Sequence, residues 1–287
     1  MTAGVQSGPT PATPASAAPP AVRAPRITAR RVTAVLSHAY IWFCLFLFVL
    51  PFAALLFRSF AEFGGSGGLE NYRGAIGDFK ENLFWSVRIT ALALAIDLAV
   101  SLPAAYALVR YPVPGRRIIF SILQLSLYVP GAAIGLALLL TFTFTYHAMS
   151  MWGLVLAMAV GTFPLMLTPI VVALKDLPPE FEEAARCLGA TGWQTYRKIV
   201  FPLIGPGVSA GLLLCFIIVF NEYLVTLFVH PVDIETAPLR IFNLQKTGGL
   251  SPATAALAVT MQLVSFAAVL VFFRVFGTRH FKGTYIL

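Results

Sequence analysis

The chain has 287 residues, 58% of them hydrophobic and 11% charged, with a mean hydropathy of +0.82 and a net charge of +8. Soluble domains average about 25% charged residues, so this chain has too little polar surface to cover a water-soluble globule. Its basic residues form no continuous stripe but sit in short clusters between apolar runs, which argues against a nucleic-acid surface and reads as a membrane-orientation signal.

Residues 1–29 are rich in Pro, Ala, Thr, Ser and Gly and hold no aromatic residue. Such a segment buries too little apolar surface to offset its ordering entropy, and a disordered cytosolic tail is expected over 1–33. It is not a cleavable signal peptide, because the apolar run after it is long and lacks a small-x-small site. Arg23, Arg26, Arg30 and Arg31 instead precede a retained first span.

A bilayer core about 30 Å thick needs roughly 20 apolar helical residues. Six stretches qualify, at about 38–57, 84–109, 118–144, 151–174, 203–229 and 253–276. Backbone groups cannot go unpaired in lipid, and the runs are too long for barrel strands, so the expectation is an all-α transmembrane bundle over 34–287. With both termini inside, the cytosolic segments carry fourteen of the twenty Lys and Arg residues, including Arg110, Arg116, Arg117, Lys175, Arg186, Arg197, Lys198, Arg274, Arg279 and Lys282. The outer loops read as turns, from Gly64 to Gly68 and over 230–252 with Pro231, Pro238 and Gly248-Gly249. Cys44, Cys187 and Cys215 fit no C-x-x-C spacing, so neither a disulfide framework nor a metal site is indicated.

The cytosolic connection at 175–202 is longer than a link between spans requires. Pro178-Pro179 starts a helix, and Glu180, Glu182 and Glu183 in its first turn complement the helix dipole. Phe181, Ala184, Ala185 and Leu188 fall at i, i+3, i+4 and i+7, predicting one apolar face, and Gly189 supplies a left-handed stop. Thr191 caps a second short helix with Trp193, Tyr196 and Val200 on one face, and Pro202 is expected to end it. The prediction is a helical hairpin at 178–202.

Glu183-Ala184-Ala185, Gly189, Ile199 and Pro202 resemble the EAA motif of binding-protein-dependent ABC importer permeases, E-A-A-x-x-x-G followed after nine residues by I-x-x-P. Phe201 replaces the leucine that usually precedes the proline. The six-span layout and the place of the motif between spans four and five agree with that family. The resemblance implies a type I permease fold in a bacterial inner membrane, with both termini cytoplasmic. It also implies alternating access, with the hairpin as the coupling helix that docks on an ATP-binding subunit dimer. The expected partners are that dimer, a second homologous permease subunit, an extracytoplasmic solute-binding protein and the lipid bilayer, with no nucleic acid. Mg-ATP belongs to the partner ATPase, and no cofactor or catalysis is expected on this chain. The small face of Ala184, Ala185 and Gly189 suits close approach to another protein, and the charges of Glu182, Glu183, Arg186, Arg197 and Lys198 suit its orientation.

Two acids interrupt apolar spans, Asp97 in the second and Glu222 in the fifth. A charge at the bilayer centre costs about 2.5–3.5 kcal/mol on insertion scales, so each must face a cavity or a partner. Asn221, Glu222, Tyr223 and Asp97 are the candidate path residues, with internal pairing as the alternative for the acids. Pro130-Gly131 either breaks or kinks the third span.

Tyr128–Leu136, Thr236–Phe242 and Ser251–Leu257 resemble the spermidine/putrescine permease branch, whose wider relatives take phosphonate or ferric iron. Asn221-Glu222-Tyr223-Leu224 is nearer to sugar permeases. A polyamine or similar small charged solute is therefore the expected cargo. A secondary transporter would need no such hairpin. Gly207-Val208-Ser209-Ala210-Gly211 spells G-x-S-x-G, but it begins a membrane helix and reads better as a small-residue helix interface than as a protease elbow.

Overall fold

A computed structural model describes residues 26–61, 68–145 and 149–274, with side chains from Ala34 onward except at 74, 75 and 78. Most of the expected tail, Gly64–Gly67 of the glycine turn, His147, Arg279, His280 and Lys282 lie outside the described residues. Every regular element among the described residues is helical. The chain divides into two units, to Phe52 and from Ala53 onward. The first consists, in its described part, of most of helix α1 (Arg26–Ser59), so residues 26–33 of the expected tail are helical.

The second unit is built around α5 (Met151–Asp176), which Ser150 caps by accepting from Gly153 N–H at 3.1 Å. Leu154, Val155, Met166, Leu167, Ile170 and Leu174 on α5 are fully buried. The helix lies between α2 (Leu69–Arg110) and α9 (Gly205–Phe220). Lipid is as apolar as leucine, so helices in a membrane associate through close backbone approach and polar contacts. Both occur here. A Cβ built at Gly207 would stand 2.5 Å from the Pro169 carbonyl oxygen, and one at Gly211 would stand 2.9 Å from Met166 Sδ. Ser209 between them is buried and donates to the Pro206 carbonyl at 2.9 Å. The G-x-S-x-G spelling is thus a helix-crossing device.

Among the described residues four helices are long and apolar enough to span a membrane, and up to six spans result if each sharply bent pair counts as one. The expected third span is two helices, α3 (Arg116–Gln124, extended by a 3-10 turn to Tyr128) and α4 (Gly131–Phe144), set at 95°. Proline disfavours helical backbone in the residue before it, and Val129 is extended at φ −88°, ψ 123°. Pro130 therefore breaks the span. The helical arm Gly192–Leu203 that leads into the expected fifth span meets α9 at 66° around Ile204, and the span is interrupted at Asn221–Tyr223 before α10 (Leu224–Val229). The helix that carries the second span begins at Leu69, and its apolar span runs Phe79–Arg110 against the expected 84–109.

The outer segment 230–252 also departs from expectation, since it carries the helix α11 (Ala237–Gly248). Pro238 lies in its first turn, where a missing N–H costs nothing, and Gly249 ends it at φ 69°. Ser86 on α2 accepts from Ala237 N–H at 2.8 Å, and Asn82 donates to the Glu235 carbonyl at 2.9 Å. The last helix is α12 (Pro252–Phe272).

Candidate functional site

The hairpin forms as local chemistry directs. Helix α6 (Glu180–Cys187) closes with Ala190 N–H donating to the Ala185 carbonyl at 3.0 Å and Gly189 N–H to Arg186 at 2.9 Å. This is a Schellman stop, which requires a left-handed residue. Gly189 supplies it at φ +83°, and a Cβ there would meet nothing, so the demand is conformational rather than spatial. Helix α7 (Gly192–Thr195) opens with a capping box. Gln194 N–H donates to Thr191 Oγ1 at 3.3 Å, and Thr191 N–H donates to Gln194 Oε1 at 2.9 Å.

Pro202 does not end this arm. The chain widens into a π turn over Tyr196–Val200, with Phe201 N–H bonded to the Tyr196 carbonyl, and continues through the short α8 (Phe201–Leu203). The wider turn accommodates a proline that cannot donate. The arm therefore runs helically from Gly192 to the bend at Ile204.

The faces of α6 are sorted differently from the expected stripe. Glu182 and Ala185 are buried, at 3% and 5% exposure, whereas Phe181 and Leu188 stand 51% and 89% exposed. Glu183, Ala184 and Gly189 share the outward side, Ile199 is half-buried and Pro202 is exposed. The expected small contact face is thus split, with Ala185 turned inward. Trp193 adds a further exposed aromatic ring and stacks on Tyr196 with 6.0 Å between centroids.

Glu182 is drawn inward by two α2 residues that sequence reasoning missed. Arg110 Nε donates to Glu182 Oε1 at 2.7 Å, and the Tyr106 hydroxyl donates to Oε2 at 2.7 Å. Arg110 Nη2 also donates to the Leu177 carbonyl at 2.9 Å, tying down the chain just before the hairpin. Arg186, one turn on, approaches Oε2 at 3.7 Å. Tyr106 and Arg110 lie four apart on one helix and so share a face. That spacing, together with a third glutamate beyond what dipole compensation needs, was the available signal.

The path candidates fall in two places. Asn221, Glu222, Gln262 and Ser265 line a cavity of about 550 Å³ between α9 and α12. Glu222 Oε1 accepts from Val225 N–H at 3.0 Å and so starts α10, which explains the interruption of the span. That break lies against the break in the third span, since a Cβ at Gly131 would be 3.9 Å from Glu222 Oε1. Interrupted backbone at membrane depth is tolerated where it borders a cavity or is buried in protein. Tyr223 is packed on Phe242, 5.1 Å between centroids. Asp97 is 1% exposed and accepts from Thr162 Oγ1 at 2.7 Å, with the Cys215 thiol donating to the Thr162 carbonyl at 3.5 Å. It holds α2 to α5 and borders a different, apolar cavity of about 520 Å³. Among the described residues no group of three His, Cys, Asp or Glu is placed to hold a metal ion.

A family model described as "Binding-protein-dependent transport system inner membrane component" matches residues 97–279, from the α2–α5 contact through the hairpin and both broken spans. The chain belongs to this family. This permease is 34% identical over 184 residues to the spermidine/putrescine transport system permease protein PotC of Haemophilus influenzae, covering 64% of this chain and 71% of that one. It is 32% identical over 203 residues to the molybdenum transport system permease protein ModB of Escherichia coli K12, covering 65% and 88%. A solved bacterial alginate ABC transporter, in complex with an alginate pentasaccharide-bound periplasmic protein, matches with TM-score 0.65 at 15% identity over 90% of this chain and 97% of that one. The fold is that of an ABC importer permease.

Proposed function

We propose that this permease subunit carries a cationic solute of the polyamine class and is driven through its hairpin by a separate ATP-binding subunit dimer. The hairpin end faces the cytosol, as the basic-residue asymmetry requires. A second homologous permease completes the path, and a loaded solute-binding protein docks at the opposite end. ATP is hydrolysed on the partner, and the chain's own work is alternating access.

The observation that carries the cargo reading is the Glu222 carboxylate. It borders the cavity with Asn221, Gln262 and Ser265, and among the described residues no Lys or Arg lines that cavity. A carboxylate in low dielectric attracts a cation and repels an acidic saccharide. A neutral sugar is the second reading, favoured by the amides of Asn221 and Gln262, which suit hydroxyl groups.

The test is uptake by the complete reconstituted transporter with putrescine, spermidine, molybdate and trehalose. Uptake of a polyamine is expected, with kcat/KM falling at least about tenfold in Glu222→Gln, equivalent to roughly 1.4 kcal/mol. Polyamine uptake unchanged in an assembled Glu222→Gln transporter would count against the path role. Uptake of molybdate or trehalose alone would overturn the cargo.

A further inference from the structure

Three cations converge at the hairpin end of the bundle on the side of α3. Arg116 and Arg117 open α3, Lys175 stands in the last turn of α5, and all three line one cavity of about 330 Å³. Its remaining walls are apolar, from Leu108 and Val109 at the end of α2, Phe120 on α3 and Val171 on α5. Among the described residues no acid lines it and none of the three cations has an ion-pair partner. Arg110 nearby is already committed to Glu182.

A topogenic signal needs only basic residues on one side of the membrane and does not require them to meet. Arg197 and Lys198 on the hairpin satisfy it while lining none of the described cavities. Here two sequence-distant elements bring three like charges to one concavity, an arrangement that repels itself unless an anion fills it. Helix α3 also starts there, with Gly115 as N-cap and no side chain capping it, so the positive end of its dipole adds to the site. The apolar walls continue from the basic mouth toward the spans, which suits a ligand that is anionic at one end and hydrocarbon at the other. Basic recesses between membrane helices on the cytoplasmic side have this preference.

We propose that Arg116, Arg117 and Lys175 form a binding site for the phosphate of an acidic phospholipid, whose acyl chains run along Phe120 and Val171. The site rests on the cytosolic placement of the hairpin end given above, but not on the cargo or on the ATPase. Its occupant would brace the sharply bent third span against α5.

The experiment is native mass spectrometry of the full-length permease in detergent, titrated separately with dioleoyl phosphatidylglycerol, dioleoyl phosphatidylethanolamine and inorganic phosphate. One phosphatidylglycerol is expected to bind in preference to phosphatidylethanolamine. Affinity should fall by about fivefold for each charge removed and roughly a hundredfold in Arg116→Gln/Arg117→Gln/Lys175→Gln, at about one charge-equivalent of surface attraction each. Lys175→Arg, which keeps the charge, should retain binding and controls for misfolding. Equal phosphatidylglycerol affinity in the triple variant and the parent would overturn the site. Displacement of the lipid by inorganic phosphate at equal concentration would overturn its assignment to lipid. Each readout needs only the isolated chain, so failure here is distinguishable from failure of the transport reading.

Discussion

Replacing Arg110 by leucine is expected to destabilise the permease by about 3–5 kcal/mol, because it strands a buried carboxylate without its charge partner. Glu182 is 3% exposed and the Arg110 side chain 15%, so solvent cannot take over the lost contact. The Leu177 carbonyl loses its donor at the same time. The Tyr106 hydroxyl remains and softens the loss without supplying a charge. Removing both partners, as Arg110→Leu/Glu182→Leu, should recover most of the stability, since a matched apolar pair avoids the desolvation of two ions. Glu183→Leu, one residue along but exposed, should change it by less than about 0.5 kcal/mol. Thermal unfolding of the three variants and the parent in detergent measures this directly. Equal losses for Arg110→Leu and Glu183→Leu would remove the distinction between the two glutamates.

The second large effect is steric. Gly207→Leu is expected to prevent correct packing of α9 on α5, because even its Cβ would lie 2.5 Å from the Pro169 carbonyl oxygen and 2.6 Å from Ala173 Cβ. Neither neighbour is a flexible side-chain end, so the helices must separate at this crossing. Overpacking of this kind costs about 1–3 kcal/mol in well-packed cores, and here the Asp97–Thr162 and Cys215–Thr162 bonds near the same crossing would be strained with it. Gly192→Leu is the control, since a Cβ there meets nothing within 4 Å. Size-exclusion profiles should show aggregation for Gly207→Leu and a monodisperse peak for Gly192→Leu. A monodisperse Gly207→Leu protein of parental melting temperature would contradict the crossing.

Apolar run length and basic-residue asymmetry made the membrane class legible in the sequence. The hairpin was legible because its signals are local, namely a proline pair, acids in the first turn, a glycine stop and a threonine cap. What stayed hidden depends on contacts distant in sequence. Glu182 reads like its neighbours Glu180 and Glu183 until Arg110 and Tyr106, more than seventy residues earlier, are brought to it. The 3.6-residue periodicity of Phe181, Ala184, Ala185 and Leu188 is real, but periodicity does not say whether a face turns toward the chain or away from it. The interruption at Asn221–Tyr223 was masked by uniform hydrophobicity on both sides, although a glutamate able to cap the next helix marks the place. Asp97 was read as facing either a path or an internal partner; it accepts from Thr162 and also borders a cavity.

The sorting of α6 into an anchored inner face and an exposed outer face of apolar and charged residues is the physical core of the coupling account. A rigid, internally tied element presenting Phe181, Ala184 and Leu188 is suited to take up movement from another protein and pass it, through Arg110 and Tyr106, to α2. Under the proposed coupling role, the exposed Phe181, Leu188 and Trp193 form the surface that a partner would cover.

The most direct measurement is solute-stimulated ATP hydrolysis by the complete reconstituted transporter carrying Leu188→Glu or Glu183→Arg in the permease. Both substitutions fall on exposed side chains and should leave its melting temperature unchanged. The account predicts that stimulation drops at least about tenfold, equivalent to roughly 1.4 kcal/mol of lost coupling. Full stimulation in both variants, in transporters that assemble normally, would contradict it.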